Sequence, residues 1–344
     1  MGKIKKKIAL ILGITGQDGS YLTEFLIKKN YQVHGIKRRT STPNTNRIDH
    51  IFDSINFNNK DLVLHHGDLS DSGSLYRIIN DINPDEIYNL AAQSHVKISF
   101  QIPEYTSDVN ALGPLRLLEI IRHYKKKKIK FYQASSSEMF GKSKPPQNEK
   151  TLFLPRSVYA ISKVFAYHSV IHYREAYKIH ACNGILFNHE SPRRGVNFVT
   201  RKIVQGLIRI KNGKQKTLTL GNLYAKRDWG HAEDYVESMW KILQQKKPDD
   251  YVVSTNTSHS VKDFINICAK KLHINLIWKN KDLNETGIDK NTNKIIIKVS
   301  KKYFRETEVD DLVGDYSKAK KILNWKPKFS FEGLIDDMID NETQ

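Results

Sequence analysis

The chain contains few cysteines, few methionines and no long apolar run. Its 344 residues include 2 Cys and 4 Met. Cys182 and Cys268 both lie in apolar segments, which indicates buried thiols rather than a disulfide framework. The histidines show no ligand-like spacing with cysteines or paired carboxylates, so we expect no metal. No stretch approaches the roughly 20 apolar residues of a membrane-spanning helix.

The amino terminus has only a superficial likeness to a secretion signal. Lysines precede the apolar run Ile8–Leu12, but the run is short and no small-residue cleavage site follows it. Lys6 occupies the position at which a myristoylation motif requires Ser or Thr. We therefore expect a soluble, cytoplasmic protein with no membrane partner.

Acidic residues are scarce relative to basic ones, with 37 Asp+Glu against 56 Lys+Arg. Such a charge suits either a nucleic-acid-binding protein or an enzyme for polyanionic substrates. The lysines occur in short scattered runs, such as 125–128, without a basic tail or a basic stripe interleaved with aromatics. We interpret most of them as solvated surface and expect no nucleic-acid partner.

Strand and helix patterns alternate through the first half of the chain. The apolar segments predict strands over 8–13, 32–37, 62–66, 86–91, 129–134 and 181–187, separated by helical patterns such as 72–80, 108–124 and 159–177. This alternation is typical of right-handed crossovers, and it predicts an α/β fold with a Rossmann-type, doubly wound parallel sheet.

The alternation stops near Asn188. Helical patterns follow at 200–212 and 228–244, a strand pattern follows at 251–254, and the lysine- and asparagine-rich segment 279–292 is the best candidate for a low-order loop. We predict a dinucleotide-binding domain of residues 1–187 plus about 228–258. A smaller, non-contiguous α/β substrate domain would hold 188–227 plus about 259–344.

A glycine-rich turn separates the first predicted strand from the first predicted helix. The turn reads Gly13-Ile14-Thr15-Gly16-Gln17-Asp18-Gly19. Its glycines let the backbone approach a pyrophosphate, and the amides of the helix amino terminus point at it. The G-x-x-G-x-x-G spacing is typical of the short-chain dehydrogenase/reductase superfamily and predicts a nicotinamide cofactor. The alternative is a glycine turn that binds no ligand.

Two later segments predict the catalytic chemistry. Tyr159 and Lys163 are four apart and share one face of a helix, where the ammonium can lower the pKa of the phenol and make it usable as a base. Ser136 belongs to a serine cluster at the end of a predicted strand, which is where such sheets place their ligands. By itself the Tyr/Lys pair could be exposed surface; the order of the three elements favours catalysis.

Further cofactor contacts are predicted at other strand ends. Arg38, Arg39, Thr40 and Ser41 follow the second strand, and arginines there suit a ribose 2′-phosphate and hence NADP. Asp68 and Leu69 follow the third strand, where Asp68 could contact adenine or cap a helix. The small residues of the segment Leu90, Ala91, Ala92, Gln93 and Ser94 allow close cofactor approach, although a tight strand–helix turn would also require them.

Glu138 and two basic loops complete the candidate site. A carboxylate at Glu138 could remove a carbon-bound proton next to a ketone, but superfamily members that are not dehydratases also have one there. The loops at 188–202 and 226–232 place arginines among Asn, Pro and Gly, and they suit the diphosphate of a sugar nucleotide through bidentate contacts.

These segments together resemble the GDP-mannose 4,6-dehydratase family over nearly the whole chain. The most specific blocks are Asn188-His189-Glu190-Ser191-Pro192-Arg193-Arg194-Gly195 and Arg227-Asp228-Trp229-Gly230-His231-Ala232. Ser136 stands where the family has threonine, Ala91 where glycine is common, and Glu306 where proline is usual.

The resemblance implies a set of roles. Tyr159, helped by Lys163, would take the proton of the 4-hydroxyl of GDP-mannose while NADP takes the hydride, and Glu138 would remove the proton from carbon 5 before water leaves. Tyr105, His189 and Arg194 would bind NADP. Ser94, Ser136, Asn188, Lys202, Arg227 and Arg305 would hold the substrate. The family's members form homodimers and homotetramers. The rival function is another nucleotide-sugar epimerase or ketoreductase of the superfamily.

Overall fold

The computed structural model of the chain describes residues 6–52, 61–304, 307–309 and 311–343. Its strands, in chain order, are β1 (Ile8–Leu12), β2 (Gln32–Lys37), β3 (Leu62–His66), β4 (Glu86–Asn89), β5 (Lys130–Ser136), β6 (Ala181–Leu186), β7 (Asn188–Glu190), β8 (Leu218–Leu220), β9 (Lys226–Arg227), β10 (Trp229–His231), β11 (Asp250–Val253), β12 (His259–Ser260), β13 (Leu276–Lys279), β14 (Thr286–Asp289), β15 (Lys294–Val299) and β16 (Asp311–Leu312).

The α-helices bracket these strands. They are α1 (Gln17–Lys28), α2 (Asp49–Phe52), α3 (Ser72–Ile82), α4 (Pro103–Ser107), α5 (Gly113–His123), α6 (Val158–Tyr177), α7 (Val199–Lys211), α8 (Ala232–Gln244), α9 (Val261–Lys271), α10 (Ser317–Leu323) and α11 (Phe331–Thr343).

Seven parallel strands form the central sheet in the order β11-β6-β5-β4-β1-β2-β3. The predicted doubly wound α/β fold is therefore confirmed. Strand β1 is a continuous apolar run because helices cover both faces of the sheet, and Ala9 to Leu12 are buried. Chain order reverses between β1 and β4, which pair directly. A sheet of this kind binds its ligands at that switch point, beyond the carboxyl ends of the strands.

A second group of elements lies beyond these strand ends. Strands β13, β14, β15 and β8 form a four-stranded sheet, and α7, α9 and α11 pack over a core that includes Leu207, Phe264 and Ile335. The last third of the chain is not all in this group. Ala319, Leu323 and Trp325 belong to the core of the central sheet, although we predicted them in the substrate domain. The exact division into domains stays a prediction.

Two other predictions are wrong. Residues 279–292 are not a low-order loop, because β14 lies there and pairs with β13 and β15. Residues 228–231 are not helical: β10 pairs with β7, and α8 begins only at Ala232, where the His231 ring accepts the amide of Glu233. Both cysteines are buried free thiols, as predicted.

None of the described helices combines the length and apolar character needed to cross a bilayer. In the same part of the chain, no group of three or more His, Cys, Asp or Glu side chains converges in the manner of a metal site.

Candidate functional site

Two neighbouring cavities lie beyond the carboxyl ends of the central strands. One, of about 360 Å³, is lined by the end of β5, the start of α6 and the loops after β6 and β8. The other, of about 310 Å³, is lined by the glycine turn and the ends of β2 and β4. Both are lined by Asp18, Leu90, Ala92, Ser94 and Arg194. They therefore form one cleft with two compartments.

The predicted catalytic residues meet in the larger cavity. Ser136 ends β5, while Tyr159 and Lys163 lie in the first two turns of α6. That helix begins where it does because the Ser157 side chain accepts the amide of Ala160 at 3.1 Å. All three side chains line the cavity and are less than a tenth exposed. The Tyr159 hydroxyl is hydrogen-bonded to Ser136.

Electrostatics at Tyr159 differ from the prediction. Burial raises the pKa of Tyr159 to about 12, and the hydrogen bond from Ser136 offsets only part of that effect. The Lys163 ammonium does not outweigh the effect of burial, since its Nζ atom donates to the carbonyl oxygen of Ala134 at 2.8 Å and lies 5.8 Å from the centroid of the tyrosine ring. Burial also lowers the pKa of Lys163 to about 8.

Glu138 lies on the same wall as Ser136. Its amide donates to the Ser136 hydroxyl at 3.2 Å, in a short turn that follows β5. The side chain is 8% exposed and lines the larger cavity. One serine hydroxyl is thus bonded to both the phenol of Tyr159 and the backbone of Glu138, so a carboxylate and a phenol border the same space.

The glycine turn has the geometry of a pyrophosphate site. Gly13 has φ +80°, and a Cβ atom there would lie 2.9 Å from the Cα of Ala91. Alanine at position 91 thus fits a close approach between the turn and β4. Among the described residues, no side chain caps the amino terminus of α1, which leaves amides of its first turn available to an anion. The residues present fit a dinucleotide. Gly13, Thr15, Gly16, Gln17, Asp18 and Gly19 line the smaller cavity.

Arg38 and Tyr105 meet at the far end of the smaller cavity. An Arg38 Nη1 atom donates to the Tyr105 hydroxyl at 2.7 Å, and both side chains line that cavity. Arg38 also lines an adjoining pocket of about 240 Å³, where the loop 37–45 faces His66. Arg39, Thr40 and Ser41 line this pocket and not the main cleft.

Most of the remaining cofactor candidates line the smaller cavity. Asp68 does not cap a helix: its carboxylate accepts from the amide and hydroxyl of Ser70, and Asp71 caps α3. Leu69, Leu90, Ala91, Ala92 and Ser94 line the cavity. Gln93 does not line either compartment; its backbone binds the Asn110 side chain, and its amide nitrogen donates to the His95 carbonyl.

The segment after β6 forms the wall between the compartments. Asn188, His189 and Arg194 line the larger cavity. Gln17 donates to the His189 carbonyl at 3.1 Å and accepts from the Ser191 hydroxyl at 2.9 Å. An Arg47 side chain links the carbonyls of Thr15 and Arg193, at 3.2 and 2.7 Å. The glycine turn and this segment are therefore one hydrogen-bonded unit.

Two of the predicted substrate-binding cations lie opposite the catalytic residues. Lys202 donates to the carbonyl of Thr219 at 2.7 Å, lies 3.9 Å from the ring centroid of Tyr303, and has a pKa lowered by burial. Arg227 Nη1 donates to the carbonyls of Lys226 and Val309, both at 2.8 Å. Both side chains line the larger cavity. Arg305 lies outside the described residues.

Sequence reasoning missed part of this lining. Lys97, Asn222, Tyr303 and Glu308 lie in the connections that follow β4, β8 and β15. None of them lies in a motif with fixed spacing. The one available sequence signal is that Tyr303 lies two residues before Arg305, the position that the family resemblance assigns to substrate binding.

The fold and the cleft together define an enzyme of the short-chain dehydrogenase/reductase class, built around a nicotinamide dinucleotide. A family model described as GDP-mannose 4,6 dehydratase matches residues 10–338. The chain belongs to the GDP-mannose 4,6-dehydratase family. It is 56% identical to GDP-mannose 4,6 dehydratase 1 of Arabidopsis thaliana, with 98% of this chain and 90% of that protein covered. It is 51% identical to GDP-mannose 4,6 dehydratase of Homo sapiens, with 100% and 93% covered.

Solved structures show the same fold at lower identity. A dTDP-glucose 4,6-dehydratase from Bacillus anthracis, in complex with NAD, has a TM-score of 0.79 at 20% identity and covers 98% of this chain and 96% of its own. The epimerase Mth375 of Methanothermobacter thermautotrophicus has a TM-score of 0.80 at 20% identity, with 98% and 93% covered. Because dehydratases and epimerases share this fold, the fold alone does not select the reaction.

Proposed function

We propose that this chain converts GDP-mannose to GDP-4-keto-6-deoxymannose with loss of water, a lyase reaction without net redox change. One observation carries the proposal: Glu138, Ser136 and Tyr159 border one cavity that adjoins the glycine turn, in a chain that belongs to this family. A phenol, a carboxylate and a dinucleotide site are the groups that the reaction requires.

Tyr159 acts on the 4-hydroxyl of the sugar. When bound, the nicotinamide ring of the cofactor supplies the acceptance and the return of a hydride. Tyr159 takes the proton of the 4-hydroxyl as the ketone forms, and Ser136 holds that oxygen from the end of β5. Lys163 is anchored to the Ala134 carbonyl with its Nζ atom 5.8 Å from the centroid of the tyrosine ring, and its positive charge opposes the rise of the tyrosine pKa with burial.

Glu138 acts on carbon 5. The new ketone acidifies the hydrogen on carbon 5, and a carboxylate on the Ser136 wall removes it. The carbon 6 hydroxyl then leaves as water, since a proton is available from the protonated Glu138. A hydride returns to carbon 6, and Glu138 delivers a proton from solvent to carbon 5 while the proton held by Tyr159 returns to solvent, which gives the 6-deoxy product. An epimerase that inverts only carbon 4, or a ketoreductase, needs no base at carbon 5, and the family match also disfavours that alternative.

The cofactor is proposed to be NADP. Arg38 reaches the smaller cavity, and Arg39, Thr40 and Ser41 surround the adjoining pocket. A guanidinium held by the Tyr105 hydroxyl is preorganised for a phosphate. Asp68 lines the same cavity as Arg38, and the adenine contact predicted for it is part of the proposal.

The diphosphate and nucleoside of the substrate are proposed to lie along Asn188, Lys202 and Arg227, with Arg305 following them in sequence. Lys202 and Arg227 are oriented by hydrogen bonds to main-chain carbonyls. The nucleic-acid-binding alternative has no comparable support, because these cations line a concave cleft.

A homodimer or homotetramer is proposed with a cytoplasmic location. Ile161 and Phe165 are one turn apart on α6 and are 56% and 44% exposed. These apolar side chains and the neighbouring Leu112 suit a helix-bundle contact between copies. The free thiols Cys182 and Cys268 suit a reducing compartment. Light scattering of the wild type and of Phe165→Glu tests the contact: a lower mass for the variant is expected, and an unchanged mass would contradict it.

Product analysis tests the reaction. The enzyme is incubated with GDP-mannose, and the product is examined by mass spectrometry and by reduction of its ketone. We expect a product lighter than the substrate by one water, with a 4-keto group and a 6-methyl group. An isomer of unchanged mass would indicate an epimerase instead. UDP-glucose is the matched control substrate, and no water loss from it is expected.

A further inference from the structure

The wall between the two compartments contains an ion pair that the proposed mechanism does not use. The His189 ring lies between two acceptors: Nδ1 is 2.7 Å from the carbonyl oxygen of Phe187, and Nε2 is 2.7 Å from Oδ2 of Asp18. A carbonyl can only accept, and an ionised carboxylate can only accept. Both ring nitrogens therefore carry hydrogens in this arrangement, and His189 is an imidazolium.

The surroundings favour this charge state. Burial lowers the pKa of His189, but the charge and hydrogen bond of Asp18 outweigh it, and the net shift is upward. Burial raises the pKa of Asp18, but His189, Gln17 and Arg194 outweigh it, and the net shift is downward. The other charged or titratable groups whose fields reach this pair are Lys163, Tyr159, Tyr132 and Tyr235, and the Tyr235 ring stacks on His189 at 4.5 Å. The field of Glu190 reaches Tyr235 as well.

Asp18 places a carboxylate at the proposed site of the pyrophosphate. It is the second residue of α1, where an anionic ligand would meet the helix amino terminus, and it lines both compartments. An unneutralised carboxylate there would repel a pyrophosphate. The His189 proton cancels that charge, which leaves Arg194 and the helix amides as the net attraction.

We propose that Asp18 is a positioning residue that keeps His189 protonated, so that the charge of the wall beside the pyrophosphate site, and with it the affinity for the dinucleotide, depends on the protonation of this pair. The proposal rests on the dinucleotide site proposed above. Asp18 raises the pKa of His189 above the ordinary histidine value. The affinity for the dinucleotide is therefore greatest at pH values below the raised pKa. It is lost as the pH rises through the folded-state pKa of His189, where the carboxylate loses its counter-charge.

The test measures NADPH binding, by fluorescence, to the full chain stripped of dinucleotide, from pH 5.5 to 9. We expect the wild-type Kd to rise above the His189 pKa by about tenfold. In Asp18→Asn the same rise should begin at lower pH. This variant should bind more tightly than the wild type at pH 5.5, and the advantage should shrink as its own His189 loses the proton. The titration of the ligand's own phosphate is common to all variants and cancels in the comparison.

Two further variants separate charge from structure. His189→Gln should bind weakly, with a Kd that no longer follows this titration. Adding Asp18→Asn to it should strengthen binding several-fold, because the carboxylate then has no counter-charge to lose. Asp337→Asn is the matched control, since it disrupts a second Asp–His pair, with His231, at 3.0 Å and outside both compartments. It should leave the Kd profile unchanged.

A proton NMR titration of the His189 ring, assigned with the His189→Gln variant, gives a readout that does not depend on binding. The His189 pKa should fall in Asp18→Asn. The inference is overturned if Asp18→Asn binds more weakly at every pH with an unshifted midpoint, or if the double variant binds no better than His189→Gln. If the wild type binds no NADPH at any pH, the proposed function fails and the inference fails with it.

Discussion

The Nζ atom of Lys163 donates to the carbonyl oxygen of Ala134, 2.8 Å away, and so fixes a buried ammonium to the strand that ends in Ser136. This lysine is 4% exposed. Burial without a carboxylate contact explains why its pKa is lowered to about 8. The charge that assists Tyr159 is thus maintained at a cost to folding.

Replacing Lys163 by methionine should therefore stabilise the cofactor-free protein while abolishing turnover. In the wild type the unfolded chain binds more protons than the folded chain between pH 8 and 10.5, so stability rises with pH across that window. The gain in Lys163→Met should be on the order of 2 kcal/mol below pH 8 and should shrink toward pH 10.5. Urea unfolding at pH 6.5 and 9.5 measures it. An equal gain at both pH values would contradict the assigned shift.

Replacing Tyr159 by phenylalanine should reduce kcat by about 10²- to 10⁴-fold, the usual contribution of a general base. The ring keeps its packing, so the Kd for NADPH and for GDP-mannose should change little. Single-turnover absorbance at the NADPH band measures hydride transfer directly. Tyr167→Phe, which removes a phenol from the same helix outside both compartments, is the control. Activity within tenfold of the wild type would remove Tyr159 from the chemistry.

Replacing Glu138 by glutamine should stop the reaction after oxidation. Hydride transfer from carbon 4 does not use this carboxylate, so the NADPH band should still appear, whereas water loss should nearly cease. In heavy water, deuterium should enter carbon 5 with the wild type and hardly at all with the variant. Glu24→Gln, which alters a carboxylate outside the compartments, should behave like the wild type. Elimination at the wild-type rate in Glu138→Gln would make another residue the base.

Replacing Arg38 by glutamine should weaken NADPH far more than NADH. The loss for NADPH is expected to be about 10- to 100-fold, because a charged hydrogen bond to phosphate is removed. Arg39→Gln should lose less, since Arg39 lines only the outer pocket. Tyr105→Phe removes the hydroxyl that holds Arg38 and should give a smaller loss with the same preference. Arg122→Gln serves as an arginine control, because Arg122 lines neither compartment. Equal losses for both nucleotides would overturn the role of Arg38.

The sequence predicts the central sheet well because its strands are buried on both faces and read as apolar runs between glycine and polar turns. It also predicts that Ser136, Tyr159 and Lys163 meet, since strand ends of one sheet edge share a cleft. The sequence could not predict the hydrogen bond from Lys163 to Ala134, because every residue type has a backbone carbonyl that can accept. Gln93 is a similar case: its side chain donates to the carbonyl of His95, an acceptor that the sequence does not reveal, so the prediction placed it in the cofactor cleft.

The second half of the cleft was harder to predict. Strand β14 is short and partly polar, and only its pairing with β13 and β15 gives it order, so local composition at 279–292 indicated a loop. Tyr303 and Asn222 reach the larger cavity through loops whose course depends on tertiary packing. The segment 228–231 reads as helical in isolation, yet Trp229 to His231 pair with β7 instead.

Gln17 and Arg47 bind both the glycine turn and the segment at 188–194, and this has a thermodynamic consequence. Any shift of that segment by an arriving sugar nucleotide alters the cradle of the dinucleotide, and the free energy of coupling acts equally in the other direction. The hydrogen bonds of this one wall therefore couple the binding of the two ligands. Because a single bound dinucleotide must accept and return the hydride within one turnover, a substrate that strengthens dinucleotide binding favours completion of the reaction.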